Sequence, residues 1–197
     1  MISFSIFLSV NTGFSQKIDI QDFNHKYLEF LIKTGVDSLR TLEGLQKLQN
    51  DFNLYLAAQN HAGYMIGTGI LSHYQEKETE KTTPYDRIVF YGGKFSITAE
   101  NIANTYVHLP VTSDNKSDRP IIIKDYKSLA DTFVEGWKNS PGHYKNIITP
   151  ELNLTGVAVS YNPLTQIVFA VHKFGKMDSL PDVNIFNHYC PTKLINA

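Results

Sequence analysis

His73, Glu100 and His143 are the residues whose types and placement could do chemistry. Near neutral pH an imidazole carries protons or ligates metals, and a carboxylate set among apolar neighbours needs a partner or a shifted pKa. His143 stands in Trp137-Lys138-Asn139-Ser140-Pro141-Gly142-His143-Tyr144-Lys145-Asn146-Ile147. Pro141 cannot continue a helix but suits the first position of a new one, with Ser140 expected as its cap. His143 then falls in the first turn, where the helix dipole disfavours an imidazolium. A neutral ring there can offer a nitrogen to a metal or a proton. The plain alternative is a helix-start histidine that only bonds locally. His73 follows Gly69-Ile70-Leu71-Ser72, where apolar residues give way to a charged loop. It marks either the rim of a cleft or an ordinary surface. Glu100 sits in Ala99-Glu100-Asn101-Ile102-Ala103, either partly buried or facing water from an edge strand.

The elements that must position these residues follow from hydrophobic period and punctuation. Phe23, Tyr27, Phe30, Leu31, Val36 and Leu39 predict a helix over 22–41, broken near Gly35. Phe52, Leu54, Tyr55, Leu56, Ala58, Ala62 and Met65 predict a second over 51–66, ended by Gly67 and Gly69. His61 lies on that helix and reads as a packed, hydrogen-bonded histidine. Residues 76–81 alternate in charge and read as a solvated loop. Thr83-Pro84 opens a short helix over 84–90 that Gly92-Gly93 ends. Residues 95–106 read as extended, and 108–119, rich in Pro, Ser, Asp and Asn, as a long loop. Leu129, Phe133 and Trp137 recur every four residues on a helix over 125–139. Residues 155–161 and 166–174 alternate as a β-hairpin through Asn162-Pro163-Leu164-Thr165. This succession implies a layered α+β domain rather than a βαβ array.

Composition narrows the function classes. The 197 residues are 42% hydrophobic and 19% charged, with a net charge of −1. That suits one domain with a real core. No basic cluster exists to neutralise phosphates, so nucleic acid is not an expected partner. No apolar run approaches the ~20 residues of a membrane span. Residues 1–15 run apolar from Ile2 to Val10 into Gly13-Phe14-Ser15, which reads as a secretory signal peptide cleaved after Ser15, although a basic start is missing. Cys190 is the single cysteine, so no internal disulfide is possible. The tail, 176–197, loses the pattern and is expected to pack loosely.

These segments, taken in order, resemble the CAP superfamily: SCP domains, cysteine-rich secretory proteins, antigen 5 and pathogenesis-related 1 proteins. Val36-Asp37-Ser38-Leu39-Arg40 with Leu45 looks like the family's opening helix. Leu56 through Met65, followed by Leu71-Ser72-His73, is similar to its second helix and first site histidine. Thr83-Pro84-Tyr85-Asp86-Arg87 resembles the bacterial branch, and Ala99 to Ala103 the "GENIA" motif. Trp137 through His143 resembles the second histidine motif, and Gly156-Val157-Ala158-Val159 with 169–175 the closing strands. The likeness covers about 36–175, within a single domain expected over 22–175. It implies a three-layer α-β-α sandwich with a small, largely antiparallel sheet.

The resemblance also implies a cleft lined by His73, His143 and Glu100. Many eukaryotic members carry a second glutamate where this chain has Ser140, so the acidic set is incomplete. Glu135 lies off the Trp137 face and does not replace it. The 107–120 loop is longer than in most bacterial relatives. Two imidazoles and a carboxylate could hold a Zn-like divalent ion. Three functions follow as expectations. In the preferred one, the protein is a secreted or periplasmic binding module, expected as a monomer, for a lipid, glycan or peptide. In the alternative, a metal-assisted hydrolase uses Glu100 as base. In the third, the histidines belong to a structural polar network.

Overall fold

The computed structural model describes residues 15–111 and 120–176. Five helices occur among them, and local chemistry sets most of their ends. In α1 (His25–Leu42) the Asn24 side chain accepts the Tyr27 N–H. In α2 (Phe52–Thr68) Asp51 accepts from Leu54 N–H, and Gly69, at φ 72°, returns its N–H to Met65. In α3 (Pro84–Phe90) Thr83 and Asp86 form a capping box. In α4 (Tyr126–Lys138) Asp125 caps Ser128. Ahead of α5 (Pro141–Ile148), Ser140 makes no side-chain cap bond, against expectation. Pro141 at the first position still supplies the φ that a helix start needs, so α5 begins without a side-chain cap.

Two sequence-based boundaries also change. Gly35 does not break α1, because α4 packs onto it: an added Cβ would lie 2.9 Å from a Val134 methyl. Gly67 stays inside α2, and Gly69 alone ends it.

The strands are β1 (Gln49–Asn50), β2 (Ile97–Tyr106), β3 (Pro110–Val111), β4 (Ile121–Ile122), β5 (Leu154–Asn162) and β6 (Ile167–Lys176). The main sheet runs β1-β5-β6-β2, with β1 parallel to β5 and the other pairings antiparallel. β3, inside the expected long loop, pairs with β4 just beyond it. Within that loop, residues 112–119 lie outside the described residues. So do most of the expected signal segment and the tail with Cys190.

Strand parity sorts the side chains into layers. Val157, Val159, Val168, Ala170 and Phe174 join the core with α1 and α4. Ala158, Phe169, Val171 and Ile102 pack against α2 on the other face. The domain is therefore the expected α-β-α sandwich.

One edge of the sheet matters for the site. β2 is an outer strand, and its free edge would present unpaired carbonyls. Helices α4 and α5 cover it. Trp137 Nε1 donates to Ile102 O at 3.2 Å, and Asn146 Nδ2 to Glu100 O at 3.4 Å. Asn101 Nδ2 in turn donates to the His143 carbonyl at 3.0 Å. Buried Arg40 fixes the far end of α5 by donating to the carbonyls of Ile147 and Thr149, at 2.7 and 3.0 Å. Helix α5 therefore has little freedom, and His143 rides on its first turn.

Candidate functional site

Glu100 is the centre of the site. In the β2–β6 ladder it lies directly opposite Lys173. Both side chains sit on the face toward α2 and α3, and both are buried. Lys173 Nζ approaches Glu100 Oε2 to 2.5 Å and donates to Pro84 O at 3.1 Å. Arg87 arrives from α3, and its Nη2 lies 3.1 and 3.0 Å from the two carboxylate oxygens. The same nitrogen donates to the His73 carbonyl at 2.9 Å. The structure thus anchors the backbone of His73 to the partner of Glu100.

The His73 ring closes the arrangement. Its Nδ1 lies 2.8 Å from Glu100 Oε1. A carboxylate only accepts, so Nδ1 carries the proton and Nε2 is directed away from Glu100. The ring is 40% exposed, whereas the Glu100 side chain is 2% exposed. His73 is therefore the rim and Glu100 the floor.

Electrostatics follow from burial. Burial pushes the Glu100 carboxyl up, but Lys173, the His73 N–H and Arg87 outweigh it and hold the group well below the ordinary carboxylate range. Burial pushes Lys173 down to about 8 against the pull of Glu100. Burial lowers His143, and neighbouring His73 pushes it the same way. His143 is half-buried, and its ring makes no hydrogen bond to the described residues.

Behind the floor stands His61, buried on α2. Its Nε2 lies 2.8 Å from Ser72 O and 3.9 Å from Glu100 Oε1. Burial lowers its pKa to about 4, so it is neutral at physiological pH.

The structure therefore brings His73 onto Glu100 and leaves His143 within electrostatic reach of His73. It does not leave Glu100 free. Both carboxylate oxygens are held by cations or by an imidazole N–H, so Glu100 stands behind His73 rather than beside it as a third ligand. Among the described residues, no group of three or more His, Cys, Asp or Glu side chains is arranged to hold a metal ion. What the geometry shows is one imidazole, that of His73, oriented by a carboxylate. Glu135 is exposed and pairs with Lys138 at 3.4 Å.

Sequence reasoning missed Arg87 and Lys173 as site residues. Lys173 carried a signal: it interrupts Val168 to Gly175, otherwise apolar but for His172, and shares the parity of Phe169 and Val171. A lysine at that parity must be buried and paired. Arg87 gave no comparable signal in a helix of seven residues.

The fold defines a class that comparison with known proteins makes definite. The family model described as "Cysteine-rich secretory protein family", the CAP family, matches residues 35–174, and the chain belongs to that family. Solved structures share the fold. An outer surface protein from Borrelia burgdorferi aligns at TM-score 0.61 and 22% identity, over 83% of this chain and 99% of its own. An extracellular SCP-domain protein from Bacillus anthracis aligns at 0.58 and 22%, over 78% of this chain and 41% of its own. A cysteine-rich secretory protein from Staphylococcus aureus aligns at 0.53 and 14%, over 78% and 40%. The chain thus spans nearly all of the first protein and about two-fifths of the other two. No curated protein matches it. No helix among the described residues is long and apolar enough to cross a membrane.

Proposed function

We propose that this CAP domain is an exported binding module, whose cleft between His73 and His143 holds a divalent ion and serves an extracellular ligand. One observation carries the choice of binding over turnover. Glu100 is locked among Lys173, Arg87 and His73, and its protonation range lies far below neutrality. A general base must be able to take up a proton near the operating pH. Glu100 cannot, so the metal-assisted hydrolase reading lacks its base. What Glu100 can do is orient His73. A carboxylate accepting from one ring nitrogen fixes the other toward a metal, as in carboxylate–histidine–zinc arrangements. His143, lowered by burial, supplies a second uncharged nitrogen. A bound ion would contribute Lewis acidity and open positions for ligand atoms. Export is supported by the relatives, whose descriptions read outer surface, extracellular and secretory.

Calorimetric zinc titration at neutral pH tests the ion site. One ion per chain should bind, and affinity should fall by roughly 10–100-fold in His73→Ala and in His143→Ala, on the scale of lost metal support. Affinity unchanged in the double variant would remove the metal site while leaving the fold intact. Export is tested in the native host: the mature chain should begin at Gln16 or nearby, and an intact Met1 in cytosolic material would overturn it.

A further inference from the structure

Arg87 is a fully buried cation on a helix of only seven residues, and its bonds are not those of a simple salt bridge. The Thr83–Asp86 capping box starts α3, and Lys173 Nζ donates to the carbonyl of Pro84, its first residue, at 3.1 Å. Arg87 follows within the first turn. From there its guanidinium meets three backbone carbonyls. Nη1 donates to Lys81 O and Thr82 O, both at 3.2 Å, and Nη2 donates to His73 O at 2.9 Å. The Gln75 N–H adds a bond to Thr82 O at 2.9 Å. One side chain thus holds both ends of the loop between His73 and Thr82.

The pairing with Glu100 yields to those carbonyl bonds. The strongest arginine–carboxylate pairing sets two nitrogens against two oxygens in parallel. Here one nitrogen, Nη2, spans both Glu100 oxygens at 3.1 and 3.0 Å, and Nε is buried with no partner among the described residues. An unmet buried donor is unfavourable. The guanidinium therefore forgoes the two-nitrogen fork and keeps Nη2 on the His73 carbonyl. Glu100 in turn accepts from His73 Nδ1 at 2.8 Å. The same nitrogen thus fixes His73 twice, through its main chain and through the carboxylate that orients its ring. A lysine would match the charge but not this reach. An ammonium gathers its donors on one atom, whereas a guanidinium spreads them over a fixed plane.

We propose that Arg87 is the positioning residue of the cleft: it sets the direction of His73 Nε2, and with it the affinity for a divalent ion, without itself touching the ion. The proposal rests on the reading of His73 as an ion ligand. The competing role, in which Arg87 only neutralises Glu100 and braces the loop, predicts a loss of stability with the His73 ring unchanged.

The test compares the full chain with its Arg87→Lys variant, by nitrogen NMR of the histidine rings without metal and by calorimetric zinc titration. Both are run at about pH 8, above the ordinary histidine range. In the wild type, His73 should show the tautomer with its hydrogen on Nδ1. Arg87→Lys, with a native far-UV spectrum, should populate both tautomers. Its zinc affinity should fall about 10–100-fold, the usual effect of removing a group that supports a metal ligand. Lower stability with tautomer and zinc affinity both kept would overturn the proposal, and so would a bare Nδ1 in the wild type. Should Arg87→Lys fail to fold, the wild type decides: saturating zinc should shift the Arg87 guanidinium signals, and signals that stay put would overturn the proposal. The ring measurement needs no metal, which separates the two readings. A wild type that binds no zinc overturns the ion site and the affinity claim, while a tautomer that still responds to Arg87→Lys upholds the positioning of the ring.

Discussion

Two successive rungs of the β2–β6 ladder make opposite uses of burial. At one, Glu100 faces Lys173; at the next, Asn101 faces His172. Strand alternation sends the first pair toward α2 and α3 and the second toward α1, α4 and α5. The first rung is ionic and is reinforced by Arg87. The second is neutral. His172 Nε2 meets Thr155 Oγ1 at 2.5 Å, its ring stacks on Phe174 with centroids 4.0 Å apart, and Asn101 holds the His143 backbone. Burial lowers the His172 pKa to about 3. The neutral rung is wrapped in core aromatics, whereas the ionic rung lies one residue from solvent, under the half-exposed His73 ring. A charged cluster with high desolvation cost is thus kept where it orients the half-exposed His73 ring, and the other side of the same strands does without one.

The sharpest way to break this asymmetry is Glu100→Gln. It strands Lys173 and Arg87 as buried cations with an amide for a partner. Breaking a buried pair from one side typically costs about 3–5 kcal/mol. Urea unfolding should show that loss. A loss under ~1 kcal/mol would mean that water already screens the cluster.

Next in size is acid sensitivity, where both faces contribute. Burial holds the folded pKa values of His61 and His172 at about 4 and about 3, below the ordinary imidazole value of 6.5. Each unfolded ring takes up a proton as pH falls through 6.5, while the folded ring does not. Stability is therefore full above pH 6.5 and declines as pH falls from there toward the folded values. Each ring adds a slope approaching roughly 1.4 kcal/mol per pH unit. Glu100, whose folded pKa is depressed, adds its own loss only below about 4.5, its unfolded range. Unfolding free energies at pH 7, 6 and 5 should reveal the slope, and His61→Gln should remove one ring's share. A flat profile to pH 5 would show that these rings accept protons in the native state.

A smaller effect is expected on the neutral face from Trp137→Phe. The ring volume is largely retained, but the N–H that covers the Ile102 carbonyl is lost. The expected loss is about 1–3 kcal/mol, that of a buried acceptor left unpaired. An unchanged midpoint would mean that water reaches the β2 edge and replaces the indole.

The contrast between rungs also marks what the sequence could disclose. Proline, cap residues and apolar period are local, so the helix starts at Pro84 and Pro141, the Trp137 face and the terminal hairpin were legible. The family spacing brought out His73, Glu100 and His143. What stayed hidden depends on register. That Glu100 meets Lys173 rather than solvent follows from a ladder pairing residues 73 positions apart, which no local pattern encodes. His61 read correctly as packed and hydrogen-bonded, but its approach to Glu100 exists only once α2 lies across the sheet. Ser140 misled for the opposite reason: a local cap signal was present, but the fold does not use it.

The smallest expected effect on stability tests the functional reading most cleanly. His143 is half-buried and its ring bonds to none of the described residues, while its carbonyl, not its ring, receives the Asn101 bond. Helix α5 is held by Arg40, Asn146 and Pro141 through bonds and geometry that do not involve the imidazole. His143→Ala should therefore leave the unfolding free energy within about 0.5 kcal/mol of wild type, the range of ordinary surface changes. The same substitution should sharply weaken zinc binding, because it removes one of the two ring nitrogens. Binding should also weaken as pH falls through the histidine range, since protons compete for those nitrogens. A stability loss of several kcal/mol with zinc affinity intact would make His143 a structural residue and the cleft a polar network. Intact stability with zinc binding lost would place the ring at the ion and leave the ionic rung as its scaffold.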